Sequence, residues 1–155
     1  MALEIERRFL IKNESWKEFI TKKIVIEQGY LSKSLDDWII RIRFTGKDFK
    51  IALKKHIESF TNLEFEYSIP QKDGDIIMSN LSNIIKKERF FLEFEKKSWI
   101  VDCFKENNYP LEIAEIELSN EDEDFSLPSF ISNEITGLTD YSNFSLANKP
   151  FSKWG

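Results

Sequence analysis

A single cysteine, Cys103, among 155 residues excludes an internal disulfide and fits a reducing compartment. No apolar run approaches the roughly 20 residues that a membrane-spanning helix needs. The N-terminus opens directly on a charged segment, so no signal peptide is expected, and the expected placement is soluble and cytoplasmic. Glycine and proline are scarce, at 5 and 4 residues, with no glycine- or serine-rich linker and no solenoid repeat. One domain over residues 1–155 is the expectation. Basic residues do not dominate: 22 Lys and Arg against 27 Asp and Glu give a formal net charge of -5. That balance argues against a protein that coats nucleic acid, and no duplex partner is expected, while a local basic channel stays compatible with it. The only histidine, His56, follows a lysine-rich strand end and reads as a loop residue rather than a catalytic one.

Apolar residues make up 41% of the chain and aromatics 14%, with 14 phenylalanines, so a substantial core is available. A chain of this length buries about 70% of its unfolded surface. Against that background the segment Leu3 to Ile11 stands out. As a strand it places Glu4, Glu6 and Arg8 on one face and Leu3, Ile5, Phe9 and Ile11 on the other, with Arg7 the exception. Same-face neighbours lie about 6.5–7 Å apart, twice the rise per residue. Two carboxylates at that spacing suit a hard divalent cation, and a guanidinium beside them suits a phosphate on that cation. An ordinary strand with one solvated face reads the same way, so recurrence decides.

The pattern does recur. Arg41 and Arg43 alternate with Ile40, Ile42 and Phe44; Lys50 and Lys54 oppose Ile51 and Leu53. Glu64 and Glu66, Lys87 and Arg89, Asp102, and Glu115 and Glu117 continue the series. Each segment tends to carry charge of one sign in same-face pairs, whereas exposed sheet faces usually mix signs and include Thr, Ser, Gln and Asn. A closed antiparallel barrel with a charged interior and an apolar outer face covered by helices accounts for the set. Such an interior cannot be dry, because burying unpaired charges costs several kcal/mol per ion. It calls for a charged occupant, and basic rows facing acidic rows suit a polyanion with a divalent metal.

Periodicity gives about eight strands, near residues 2–12, 24–32, 37–46, 48–57, 62–69, 87–95, 98–104 and 110–119. Thr45-Gly46-Lys47-Asp48 and Glu95-Lys96-Lys97-Ser98 read as hairpin turns. Helices are expected from Asn13 to Lys22, from Asp75 to Lys86, and from Ser129 to Thr136 with Gly137 as its cap. Thr139 to Ala147 reads as a turn into a last helical turn. The acidic run Asn120 to Asp124 reads as a solvated connection. Asp102 takes the inward parity, so Cys103 is expected to pack outward as a small hydrophobe. The fold class is α+β, mainly β: an eight-stranded antiparallel barrel with flanking helices.

Taken in order, these motifs resemble the CYTH domain, or triphosphate tunnel metalloenzyme, family. The carriers are Glu4-x-Glu6-x-Arg8 beside Phe9-Leu10, the Gln28-Gly29-Tyr30-Leu31 segment, and Arg41 and Arg43. Lys54, Glu64 and Glu66, Lys87 and Arg89, Trp99 through Asp102, Ala114-Glu115-Ile116-Glu117 and Tyr141-Ser142-Asn143 follow, so the similarity spans essentially the whole chain. The resemblance implies a triphosphate-binding tunnel with Mg²⁺ or Mn²⁺ as cofactor. It implies metal ligation by Glu4, Glu6, Asp102, Glu115 and Glu117, with Glu64 or Glu66 assisting. It implies triphosphate binding by Arg8, Arg41, Arg43, Lys54, Lys87 and Arg89, and catalytic roles for Glu4, Glu6, Arg8, Glu115 and Glu117. The expected activity is metal-dependent hydrolysis of the terminal phosphate of tripolyphosphate or a nucleoside triphosphate. The alternatives are a non-catalytic triphosphate sensor and a class IV adenylyl cyclase. Members can pair through outer helices, which leaves a homodimer open. Three departures stand out: Arg8 replaces the usual Lys, Ile100 replaces a Glu found in many members, and no Lys accompanies Tyr141.

Overall fold

The computed structural model describes residues 2–155. Eight strands close into an antiparallel barrel: β1 (Leu3–Ile11), β2 (Ile20–Tyr30), β3 (Ile39–Phe44), β4 (Phe49–Glu58), β5 (Thr61–Ile69), β6 (Ile84–Phe94), β7 (Lys97–Phe104) and β8 (Glu112–Glu117). Their order is β5-β4-β3-β2-β6-β7-β8-β1, closed by β1 on β5 through Leu3↔Leu63 and Ile5↔Thr61. The expected hairpins hold. At the β6–β7 turn Glu95 and Lys96 both take positive φ, 48° and 64°, the hand that matches the twist of the flanking strands.

The apolar outer faces are covered on two flanks of the barrel, while Val25, Ile57 and Tyr67 stay exposed. Helix α1 (Gln71–Ser79) lies over β3 and β4, with Gly74 against the ring of Phe49. A Cβ at Gly74 would overlap that ring, so glycine lets the helix approach. On the opposite flank, Trp16, Trp99 and Phe130 form the centre of a second layer with Ile5, Phe9 and Ile116. Cys103 packs at the edge of this layer, outward as expected. Burial, then the neighbouring Glu112, pushes its thiol up to about 12, which disfavours the reactive thiolate at neutral pH.

Three elements depart from the expectation. Ser129 to Thr136 is not a helix: a ninth strand, β9 (Ile131–Glu134), pairs with β1 through Ile11↔Ile131 and Phe9↔Glu134. The reason is the edge of β1, which loses β5 beyond Ile5 and would leave backbone groups unpaired. Gly137, at φ 79°, turns the chain after that strand instead of capping a helix. The Asp75 to Lys86 helix runs instead over Gln71–Ser79; Ile84 and Ile85 belong to β6, where Gly29 and Gln28 of β2 provide partners. Asn13 to Lys22 is a 3-10 turn, Glu14–Phe19, started by Asn13 accepting from the Ser15 amide at 2.9 Å; β2 then begins at Ile20.

The last twenty residues decide the shape of the interior. The short helix α2 (Asn143–Asn148) inserts Leu146 among Ile85, Phe104, Leu111, Ile113 and Ile135. These residues sit at or beside the ends of β6, β7, β8 and β9, so half of this end of the barrel is plugged by apolar side chains. The half over β2, β3, β4 and β5 stays open. Among the described residues no helix is long and apolar enough to cross a membrane.

Candidate active site

Strand parity projects the charged rows inward, and the register sets them against each other. Arg8 faces Glu115, Arg89 faces Asp102, and Lys54 faces Glu64. Each of these pairs is a base opposite an acid. Two other pairs set like charges opposite each other: Glu6 against Glu117 across β1 and β8, and Arg43 against Lys50 across β3 and β4. Like charges in that position repel.

A cavity of about 520 Å³ opens at the unplugged half of the barrel end, and its walls include Glu6, Arg8, Arg41, Lys54, Tyr30 and Asn143. Arg8 Nε donates to Glu115 at 3.0 Å and Nη1 donates to the Tyr141 carbonyl at 3.0 Å. Its third nitrogen, Nη2, is buried and has no acceptor. Arg41 Nη2 donates to Glu66 at 3.1 Å, while Arg41 Nε is likewise buried without a partner. Lys54 lies 2.8 Å from Glu4 and 3.6 Å from Glu64. Burial opposes the Lys54 charge, but Glu4, Glu6 and Glu64 outweigh it and hold the ammonium protonated. For Glu4, burial works against ionisation and Lys54 overcomes it, so that carboxyl stays below its ordinary range.

Glu6 behaves differently. Burial first, then Glu115 and Glu4, push its carboxyl up to about 8, and Lys54 and Arg8 only partly offset this. Glu117 is raised by burial and by the same two acids. With both carboxyls ionised, the acidic row on β1 and β8 would hold more negative charge than the protein's own cations neutralise, which is why Glu6 and Glu117 resist ionisation. A divalent cation between them would relieve that repulsion and favour the ionised forms. The donor set is carboxylate only, which fits a hard divalent ion. Among the described residues no three acidic, histidine or cysteine side chains converge tightly enough to enclose an ion. Mg²⁺ tolerates this, since it keeps several waters and is held by one or two carboxylates plus substrate phosphates.

Beside the cavity lies a buried cluster that is electrostatically coupled to it, since Arg89 also feels Glu115 and Glu6. Asp102 accepts from Lys87 Nζ at 2.7 Å and from Arg89 Nε and Nη2 at 2.8 and 2.9 Å. Lys87 and Asp102 are 0% and 1% exposed. Burial alone would keep Asp102 protonated, but Arg89 and Lys87 hold it ionised far below the usual range. The structure thus places Asp102, expected as a metal ligand, with both oxygens on cations. Arg43, expected to bind phosphate, donates to Gln28 at 2.9 Å, and Gln28 donates to the Tyr30 hydroxyl at 2.7 Å. Burial, then Arg41 and Arg89, lower Arg43 to about 9.

Glu64 and Glu66 neutralise Lys54 and Arg41 across the barrel. His56 stands at the rim of the cavity, at the end of β4. The site residues expected from the sequence do not include Gln28, Tyr30 or Asn143. Parity from the inward Gln28 would have found Tyr30. Asn143 belongs to the Tyr141-Ser142-Asn143 motif, but its place at the cavity depends on the C-terminal plug.

No protein-family model matches the chain. It is 33% identical over 153 residues to an inorganic triphosphatase of Acetivibrio thermocellus, covering 97% of each chain. A second inorganic triphosphatase, from Nitrosomonas europaea, is 25% identical over 148 residues, 93% of this chain and 96% of that one. The crystal structure of an inorganic triphosphatase superposes with a TM-score of 0.69 at 26% identity over 95% of both chains. A charged tunnel of the same topology, joined to one third identity over nearly full length, establishes that this chain belongs to the CYTH, or triphosphate tunnel, family.

Proposed function

We propose that the chain is a divalent-metal-dependent triphosphatase, a phosphoric anhydride hydrolase that removes the terminal phosphate of tripolyphosphate or a nucleoside triphosphate. The observation that carries this reading is the pair of orphan guanidinium donors, Arg8 Nη2 and Arg41 Nε, on the wall that also holds Glu6. A buried donor on a charged group costs several kcal/mol when unmet, and phosphate oxygens are the acceptors that guanidinium geometry suits. The names of the Acetivibrio and Nitrosomonas relatives support the same substrate class.

A triphosphate carries about four negative charges, and hydrolysis spreads charge over the leaving and equatorial oxygens. Arg8, Arg41 and Lys54 would hold those oxygens in a site already organised by Glu115, Glu66 and Glu4, so little reorganisation accompanies the reaction. Glu6 and Glu117, with Glu4 and Glu115 nearby, would hold Mg²⁺ or Mn²⁺. When bound, the ion lowers the pKa of a water and offsets charge on phosphate. Arg8 is not the proton acceptor: burial opposes its charge, but Glu115 and Glu6 raise it further above the ordinary guanidinium value. Its role is to orient and to neutralise. The Asp102–Lys87–Arg89 cluster supports the cavity from beside it.

The test is phosphate release from tripolyphosphate and from ATP with Mg²⁺, Mn²⁺ or a chelator, beside Glu6→Gln. Metal-dependent release that Glu6→Gln abolishes is the expected result. Pyrophosphate release with a cyclic product would make the chain a cyclase. Tight triphosphate binding without turnover would make it a sensor.

A further inference from the structure

Lys87 is counted among the triphosphate ligands by sequence position, yet it does not face the cavity. Its ammonium is fully buried and donates to Asp102 at 2.7 Å and to Asn143 Oδ1 at 3.0 Å, and it lies 5.4 Å from the centre of the Phe104 ring. All of its three protons therefore have a partner or a π face to point at. Asn143, in contrast, lines the cavity. It stands between the buried cation and the space where the substrate would lie.

The chemistry of the contact fixes which way the amide points. An ammonium has only donors, so Asn143 must turn its oxygen to Lys87. Its NH₂ group is then directed away from Lys87, and among the described residues no protein acceptor meets it. The backbone around Asn143 is held as well: Ser142 caps α2 by accepting from the Ser145 amide at 3.1 Å, and the Tyr141 carbonyl accepts from Arg8 at 3.0 Å. One short segment thus sets both Arg8 and the Asn143 amide.

We propose that Asn143 is a triphosphate-binding residue: Lys87 orients its amide, and the amide NH₂, rather than the ammonium, contacts a phosphate oxygen. The role of Lys87 is to polarise and position. This inference rests on the triphosphate reading above.

The test is tripolyphosphate binding by titration calorimetry for the wild type, Asn143→Asp and Asn143→Ala, with Tm measured alongside. Asn143→Asp separates the proposed role from a merely structural one. A carboxylate would hold Lys87 at least as well as an amide, so Tm should not fall. It would also place a negative charge where phosphate is expected, so affinity should drop about tenfold or more, the scale of a hydrogen bond to a charged group. In turnover assays the same variant should raise KM more than it lowers kcat. Wild-type affinity in Asn143→Asp would overturn the inference while leaving the triphosphatase reading intact. Absence of binding by the wild type would overturn both. Should Asn143→Asp fail to fold, the wild type still decides the matter. Its Asn143 side-chain NH₂ signals, assigned by their loss in Asn143→Ala, should shift on adding tripolyphosphate, and unmoved signals would refute the contact.

Discussion

Replacing Asp102 by Asn removes one charge and strands two. Asp102 accepts three hydrogen bonds from Lys87 and Arg89 at 2.7–2.9 Å, and it is 1% exposed. Removing one partner of a buried ion pair costs about 3–5 kcal/mol, because the remaining charge stays buried without compensation. For a domain of this size about 1 kcal/mol lowers Tm by roughly 2–4 °C, so a fall of about 6–20 °C is expected. Domain stabilities of about 5–15 kcal/mol leave the variant folded at room temperature. Urea titration followed by tryptophan fluorescence measures it well, since Trp16 and Trp99 are each 1% exposed and report loss of the core.

The pH dependence adds a second constraint. Burial, then Arg89 and Arg43, lower Lys87 from the ordinary lysine value, with Asp102 opposing them. Without Asp102 its pKa falls further, so Lys87 can shed its proton near neutrality while Arg89 cannot. Between the two folded values the variant gains stability relative to the wild type as pH rises, because its folded state binds fewer protons. The deficit should therefore be larger at pH 5 than at pH 8. Adding Lys87→Met should recover part of the loss. A variant within about 1 kcal/mol of the wild type at both pH values would show that the cluster is not a buried ion-pair network, and the reasoning would fail.

Glu6→Gln should have opposite effects on stability and activity. The folded Glu6 value, pushed up to about 8, exceeds its unfolded value, so Glu6 costs stability as pH rises from about 4.3 to 8. In metal-free protein at pH 8 the substitution should raise Tm by about 2–4 °C, equivalent to about 1 kcal/mol, while phosphate release is lost; a lower Tm would contradict the repulsion within the acid row. Glu117→Gln should raise the Mg²⁺ or Mn²⁺ concentration needed for half-maximal activity by about tenfold or more, with saturating tripolyphosphate, and an unchanged requirement would remove Glu117 from the ligand set. Arg41→Met removes an orphan donor and should raise KM for tripolyphosphate about tenfold or more in phosphate-release assays. Gly74→Ala should cost about 1–3 kcal/mol in urea titrations, because the new methyl must displace the Phe49 ring beneath α1.

The charged rows were legible because strand parity is a local property. Glu4, Glu6 and Arg8 share a face whatever they pair with, and the same holds for Arg41 and Arg43 or Glu115 and Glu117. The barrel followed from the recurrence of those rows, since so many inward charges exclude a dry core. The errors lie where a local pattern has two readings. Ile84 and Ile85 fit the apolar stripe of a helix, yet β2 offers them hydrogen bonds, and Phe130, Ile131 and Ile135 fit a helix until the bare edge of β1 claims them.

Sequence alone determined which side chains face inward, the excess of acid on β1 and β8, and the base-rich rows opposite. Those follow from the two-residue period of a strand. Only the tertiary structure decided which charges meet, because register depends on how turns and barrel closure align the strands. Register leaves Glu6 against Glu117 but Asp102 against Arg89, so one acid is free to attract a cation and the other is spent. The plug by α2 likewise comes from contacts far apart in sequence, and through it Asn143 rather than Lys87 reaches the cavity.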